Sequence, residues 1–583
     1  PFQLALPMGK CQSRSCPRRS SSSGCAGSLP EILRPYTADT ELRVDVEGLR
    51  QFLKLEQGED GERAEAWIAE RSSDGALPRL DLLLLDEAAN AILDAQAAAR
   101  EDPRDRALSD YFISASHNTY LSGNQLTSSA SVEALSHALR MGVRVIELDV
   151  SDGAKGSPIV KHGGTMTRPV LFSDCVAALL EHVHEETAPL IVTLGNGCGP
   201  EAQREIARSL RGILGERLFV PPPDGPSELT FEAVAGRVLV RDKPSRCVPE
   251  LLALVSIANV RIAGTQKGGS SRVPEDGWRK ARLAAAAAAA AGRPPSSSID
   301  EEELLAAAAA ANGVAALRAL TASELLRVYP SGKRVGSTNL DPLPTWRCGG
   351  QMAALNYQAH DRAVWINQGK FAANGGCGWV LKPPRLLCGA SAAAALAPAP
   401  LLLRVSVLSG HDLPPPEPGL IERSLMRSTS RSSRRSLFAS EGSGGGGRPD
   451  SPGSPNRCKP PARKSAVDPF VVIEVTGAAA DAADTCSART QTVSGGGENP
   501  EWGETFEFEV AEPDVAVLLF TVWDDDVLSA DDFMGQYALP VRCLRRGVRC
   551  VPLRRADGTP HEGAPCLLVR VESESQKQEG KAI

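Results

Sequence analysis

The sequence predicts a multidomain α+β chain: a small helical domain, a TIM-like (β/α) barrel made in two halves, and a C-terminal β-sandwich. Three observations predict it. Between residues 44 and 93 apolar side chains such as Val46, Leu49, Phe52 and Leu53 recur at helix spacing. From 110 to 384 short apolar runs alternate with helical stretches, the pattern of a parallel sheet with crossover helices. Beyond 384 the pattern is one of short strands separated by turn residues, as in a sandwich. The chain has 583 residues, room for several domains at about 100–200 residues each.

The expected divisions follow composition. Residues 1–35 are rich in Ser, Arg and Cys and lack a period, so a disordered lead-in is expected. Residues 36–105 read as an EF-hand-like helical domain, although no calcium-loop string occurs there. The barrel halves fall at 106–250 and 251–385, with strands expected at 111–114, 143–150, 159–160, 190–194, 238–241, 254–262, 352–357 and 379–381. A low-complexity insertion is expected at 264–298, within the second half. The sandwich spans 386–583 and is split by a basic Ser/Gly/Pro-rich insertion at 414–466, which cannot bury a core and is expected to be disordered.

Charge and cysteine usage exclude several classes. The net charge of −7 argues against a general nucleic-acid binder, which carries a basic excess. The 14 cysteines are scattered without zinc spacing or disulfide density, and read as reduced thiols of a cytosolic protein. The longest apolar stretch, near 386–403, is interrupted by Pro398 and Pro400, so a membrane role is expected to be peripheral.

The chemistry concentrates in residues 114–165. Of eight histidines in the chain, His117 and His162 fall at strand ends, with Glu147 and Asp149 between them in sequence. Residues two apart on a strand share a face, so both carboxylates reach one point, and Asn118 offers a neutral oxygen. From spacing alone, a solvated acid pair and a hard-cation site flanked by two acid–base groups fit equally well.

The strings SASHNTYL (114–121), IELDVSDG (146–153) and HGGTMT (162–167) resemble the X-box of eukaryotic phosphoinositide-specific phospholipase C, of the delta or plant-like type. LLRVYPSGKRVGSTNLDP (325–342), GGQMAALNYQ (349–358) and NGGCGWVLKP (374–383) resemble its Y-box. VDPFVVIEV (467–475), ENPEWGETFEFEV (498–510) and DDDVLSADDFMGQ (524–536) resemble its C2 domain.

The resemblance implies calcium-dependent hydrolysis of phosphatidylinositol 4,5-bisphosphate to diacylglycerol and inositol 1,4,5-trisphosphate, by a cytoplasmic protein acting at an anionic phosphoinositide surface on the inner leaflet of the plasma membrane. It implies that His117 stabilises charge at phosphorus, that His162 is the general acid, and that Glu147 is a candidate base. Asn118, Glu147 and Asp149 match calcium ligands. Arg241, Lys243, Ser298, Arg327 and Tyr329 match headgroup-binding positions, and Asp468, Asn499, Asp524 and Asp526 match C2 calcium ligands. One position departs: the family carries a glutamate where this chain has Gly195. The resemblance therefore also admits a phosphoinositide- and calcium-binding membrane adaptor without turnover. The short link at 244–250 lacks the acidic plug of many relatives, so autoinhibition by such a plug is not expected.

Overall fold

The computed structural model describes residues 18–19, 32–37, 44–59, 61–71, 80–222, 229–261, 286–290, 292–387, 399–417, 467–477, 485–526 and 530–575. Its centre is a closed barrel of eight parallel strands: β1 Ala115–Ser116, β2 Val145–Asp152, β3 Leu190–Asn196, β4 Val238–Asp242, β5 Val255–Arg261, β6 Pro295–Asp300, β7 Leu325–Tyr329 and β8 Met352–Leu355. Closure comes from β8 pairing with β1, Ala354 opposite Ala115, and from β1 pairing with β2, Ala115 opposite Val145.

Strand alternation divides the barrel into two sets of side chains. Ala115, Val145, Ile191, Leu239, Ile257, Leu325, Met352 and Ala354 form one apolar cluster inside. Their sequence neighbours, among them Ile146, Val192, Val240, Leu326 and Ala353, belong to the cluster under the surrounding helices. Those helices carry a matching stripe. In Pro200–Leu214 the buried positions Ala202, Ile206, Leu210 and Leu214 recur every fourth residue, and the helix starts with Pro at its first position, where the missing N–H costs nothing.

The barrel departs from the expectations in four places, the first being β7, Leu325–Tyr329, where no strand was expected. Ile159 and Val160 belong to Pro158–Val160, which pairs antiparallel with the end of β2 rather than joining the parallel sheet. Residues 111–113 and 379–381 form a separate two-stranded antiparallel ribbon, whose Tyr111, Ile113 and Trp379 pack on the inner apolar cluster. The expected insertion 264–298 overlaps a barrel strand, because β6 begins at Pro295 and pairs with Ala258 of β5 and Leu325 of β7. Its Pro-Ser-Ser-Ser start looks like a loop, but pairing on both sides overrides weak intrinsic propensity. Residues 264–285 and 291 of that insertion lie outside the described residues. So do residues 1–17 and 20–31 of the lead-in, and 418–466 of the basic insertion.

The C-terminal unit is a sandwich of two antiparallel sheets. One runs Glu501–Val510, Leu401–His411, Cys566–Ser575, Gly547–Pro552, with Arg18–Arg19 pairing on the outer edge of Glu501–Val510. The other runs Thr485–Arg489, Pro469–Thr476, Val517–Asp524, Asp532–Pro540. Inward residues such as Val405, Ile473, Phe508 and Phe520 fill the space between them.

The helical unit includes Val46–Leu55, Gly61–Arg71 and Leu80–Leu85. Asp45 caps the first of these, accepting from the Gly48 N–H at 2.7 Å, and Leu49, Phe52 and Leu53 form its buried face. Ile32 and Leu33, expected in the lead-in, are buried in the same cluster, which extends to Leu408, Val548 and Leu568 of the sandwich. No described helix is long and apolar enough to cross a membrane.

Candidate active site

The apolar layer inside the barrel dictates where the polar residues fall. Two residues further along each strand, a side chain again points inward, now at the carboxyl end. From Ala115, Val145, Ile191, Leu239, Ile257, Leu325 and Ala354 this step reaches His117, Glu147, Thr193, Arg241, Asn259, Arg327 and Asn356. All but Asn356 line a single cavity of about 310 Å³, together with Asn118, Asp149, His162, Leu194, Gly195, Lys243, Ser298 and Tyr329. Every barrel residue that the sequence singled out is therefore gathered at one site, including Ser298, despite the insertion beside it.

Local turns deliver the rest. Asn118 adopts a left-handed conformation, φ 44°, which Asn tolerates better than most residues. Its N–H donates to Glu147 Oε2 at 3.3 Å and its Nδ2 donates to Gln125 Oε1 at 2.8 Å, which leaves Oδ1 as a donor oxygen for a cation. The antiparallel extension of β2 turns the chain back, with the Lys161 N–H donating to the Asp149 carbonyl, and so carries His162 to the mouth. Ser298 is followed at once by a capping box. Asp300 accepts from the Glu303 N–H at 2.9 Å, and Glu303 accepts from the Asp300 N–H at 3.2 Å, fixing where β6 ends.

The two histidines are held differently. His117 Nδ1 lies 2.9 Å from Asn356 Oδ1, so it carries the proton and Nε2 faces Glu147 Oε2 at 3.9 Å. Burial depresses its pKa, which favours the neutral ring. His162 Nδ1 lies 2.6 Å from the Gln125 carbonyl, and a carbonyl accepts only, so the Nδ1 proton is fixed there.

The carboxylates differ too. Arg327 Nη2 stands 2.5 Å from Glu147 Oε2. Burial works to raise the Glu147 carboxyl, but Arg327 and His117 hold it below the ordinary range. Asp149 accepts from the Tyr120 hydroxyl at 2.9 Å. Burial, with the Glu147 charge beside it, pushes Asp149 up to about 6. Burial and the same carboxylates raise Tyr120 well above the usual phenol range, keeping it a donor.

Arg241 is fully buried and braced by Ser296 Oγ at 2.8 Å, Asn259 Oδ1 at 3.0 Å and Ser298 Oγ at 2.6 Å. Burial, with the Arg327 charge close by, lowers it to about 9. Arg241 Nη1, Arg327 Nε and Thr193 Oγ1 are buried without protein partners. Such donors are costly unless a ligand accepts from them, and donors on two guanidinium groups suit a phosphate.

Among the described residues no three His, Cys, Asp or Glu side chains converge as a metal cluster. The barrel offers two carboxylates and the Asn118 amide oxygen, an all-oxygen set that fits a hard cation completed by water and substrate oxygens. The raised Asp149 agrees, since two neighbouring carboxylates repel until a cation neutralises them. In the sandwich, Asp468 and Asp524 do meet, the Asp468 N–H donating to Asp524 Oδ1 at 2.7 Å. Burial raises Asp524, with Asp526, Asp468 and Asp532 adding repulsion. Asn499 Oδ1 instead accepts from the Asp412 N–H at 3.1 Å, so it braces a turn.

Several site residues were not singled out from the sequence: Tyr120 and Asn356, although both lie within the quoted motif strings, and Gln125, Thr193, Asn259 and Ser296. The two-residue stride from the inner apolar layer finds Thr193, Asn259 and Asn356. Gln125 is legible only in space, where it joins Asn118, Ser337 and Asn356.

Comparison with known proteins finds matching segments in the order of the fold. Family models described as phosphatidylinositol-specific phospholipase C, X domain, and its Y domain match residues 104–244 and 284–385, and a C2 domain model matches 455–552. Human 1-phosphatidylinositol 4,5-bisphosphate phosphodiesterase delta-3 is 31% identical over 91% of this chain and 66% of its own length. Human inactive phospholipase C-like protein 1 is 29% identical over 82% of this chain and 41% of its own. The chain spans about half to two thirds of the length of the first curated relatives it matches. The crystal structure of PLC21 from L. pealei superimposes with a TM-score of 0.69 at 22% identity, covering 94% of this chain and 68% of that one. X, Y and C2 segments in this order, around a single barrel pocket, place the chain in the eukaryotic phosphoinositide-specific phospholipase C family.

Proposed function

We propose that this chain is a calcium-dependent phosphoinositide phospholipase C that cleaves phosphatidylinositol 4,5-bisphosphate to diacylglycerol and inositol 1,4,5-trisphosphate. The observation that carries the reading is the shared cavity: His117, Glu147, Asp149 and His162 face the same space as Arg241, Lys243, Arg327 and Tyr329. Acid–base groups thus stand beside a cationic, phosphate-reading wall.

In this reading Arg241, Lys243, Ser298 and Arg327 bind the ring phosphates, and the Tyr329 ring stacks on inositol. His117, neutral in the empty site, takes up a second proton at Nε2 as the anionic phosphate enters and donates it in a hydrogen bond to the phosphoryl oxygen on which charge builds. Glu147 takes the proton of the inositol 2-hydroxyl, whose oxygen bonds to phosphorus as the bond from phosphorus to the glycerol oxygen breaks, and water then adds to the resulting 1,2-cyclic phosphate and opens it to inositol 1,4,5-trisphosphate. His162, with its proton at Nδ1 fixed by Gln125, passes a proton through Nε2 to the departing glycerol oxygen. Calcium bound by Asn118, Glu147 and Asp149 supplies charge neutralisation at the phosphate and a lowered hydroxyl pKa.

The mouth supports a membrane-facing orientation. Leu126, Met166 and Val335 are 47%, 81% and 47% exposed. They are tied together through the backbone, the Met166 N–H donating to the Leu126 carbonyl and the Gln125 N–H to the Val335 carbonyl. An exposed apolar rim around a headgroup pocket suits entry of a lipid from a surface. We place the protein at the cytoplasmic face of the plasma membrane as a peripheral component, with the C2 acidic loops as a second calcium-dependent contact.

Release of water-soluble inositol phosphates from vesicles containing phosphatidylinositol 4,5-bisphosphate, with calcium and with chelator, tests the proposal. Calcium-dependent release that His162→Ala abolishes is expected. Vesicle binding with no release across a broad calcium range overturns the enzymatic reading in favour of an adaptor.

A further inference from the structure

Arg241 is held by side chains of two other strands. Its Nε donates to Ser296 Oγ at 2.8 Å, and its Nη2 donates to Asn259 Oδ1 at 3.0 Å and to Ser298 Oγ at 2.6 Å. These bonds leave Nη1, buried without a protein partner, as the nitrogen with protons to give. The Ser298 hydroxyl donates in turn to the same Asn259 oxygen at 3.3 Å. Asn259, on β5 between β4 and β6, therefore tethers both Arg241 and Ser298. A guanidinium only donates, so the Asn259 atom that meets it is the oxygen. The amide nitrogen is then the other end of a side chain that lines the cavity, and among the described residues nothing hydrogen-bonds to it.

We propose that Asn259 is a positioning and specificity-determining residue for the headgroup: its oxygen sets Arg241 and Ser298, and its amide nitrogen is a further, uncharged donor to a ring phosphate. The inference rests on the phospholipase C reading above and deepens its cationic wall. A guanidinium is a rigid fork, and one braced at Nε and Nη2 cannot turn to follow a ligand. It meets a phosphate only where Nη1 already stands, and donors ordered in advance bind without the cost of being ordered. The wall then tells a phosphorylated ring from a bare one by position as well as by charge. Loss of Asn259 is therefore expected to weigh most on substrates that carry ring phosphates.

Steady-state hydrolysis by the full chain, with calcium, in mixed micelles of phosphatidylinositol 4,5-bisphosphate and separately of phosphatidylinositol tests this. Asn259→Ala is expected to raise KM for the bisphosphate more than it lowers kcat, and to reduce the preference for the bisphosphate about tenfold, the scale of one hydrogen bond to a charged group. In an Arg241→Met background the same change is expected to cost less, since both act through one guanidinium. Asn259→Asp keeps the shape and the oxygen but replaces the donor by a negative charge. It is expected to reduce the preference at least as much, and it provides the test if Asn259→Ala does not fold. An equal fall on both lipids, a fall in kcat alone, strictly additive losses, or a parent-like preference in Asn259→Asp overturns the inference and leaves the phospholipase C reading intact. No release from either lipid by the parent overturns that reading, and this inference with it.

Discussion

Arg327 and Glu147 face each other across the barrel from β7 and β2, with Nη2 2.5 Å from Oε2 and both side chains largely buried. The pair holds two opposed ligand-binding roles in check: Arg327 suits an anion, Glu147 a cation. Removing one member leaves a buried charge uncompensated, which costs about 3–5 kcal/mol. Arg327→Met is therefore expected to lower the melting temperature, and calcium is expected to restore more of that loss than it adds to the parent, by neutralising Glu147 in place of the guanidinium. Thermal melts of both proteins with calcium and with chelator measure the difference.

The Gln125 side chain ties three others of the site together. Its Oε1 accepts from Asn118, its Nε2 donates to Ser337 Oγ and to Asn356 Oδ1, and Asn356 orients His117. Gln125→Leu keeps the backbone carbonyl that fixes His162 while freeing Asn118 and Asn356. Turnover is expected to fall about 10–100-fold, the scale for losing a supporting hydrogen-bond partner, with a much smaller change in KM. Steady-state kinetics on mixed micelles separates the two.

Lys370 is buried with its Nζ 4.7 Å from the Phe112 ring centroid and 5.6 Å from that of Trp346. Burial pushes its pKa down to about 7, far below the value of about 10.4 in an unfolded chain. Between these values the folded state binds fewer protons than the unfolded state, so stability rises with pH across this window. The gain is complete above about 10.4, is lost as pH falls to about 7, and is absent below. Lys370→Met is expected to melt above the parent at pH 7, with the gap narrowing by pH 9.

Three arginines of the barrel converge on Glu512 of the sandwich: Arg347 at 3.0 Å, Arg385 at 3.1 Å and Arg318 at 3.9 Å. Asp514 adds a second carboxylate 3.5 Å from Arg385. Glu512→Gln leaves three cations around one acid, and a loss of about 3 kcal/mol is expected. Thermal melts of the variant and the parent measure the loss.

The two-residue stride shows how much the sequence could reveal. Val145, Glu147 and Asp149 alternate with Ile146, Leu148 and Val150, so the inward face of β2 and its carboxylates were legible from strand periodicity alone. Residues 295–300 were not, because a Pro-Ser-Ser-Ser run has no apolar signal and becomes a strand only between two partners. The antiparallel pairing of residues 158–160 was equally hidden, since an apolar pair looks the same in either direction.

By itself the sequence determined which residue types stand at strand ends, and its resemblance to a known family supplied the expected reaction class and the expected cationic headgroup wall. Only the tertiary structure decided their relations: that Glu147 is paired with Arg327, that Gln125 ties the two histidines together, and that Asn259 tethers both Arg241 and Ser298. Periodicity is a property of one strand, whereas these relations depend on the stagger between strands around a closed barrel, which no single segment encodes.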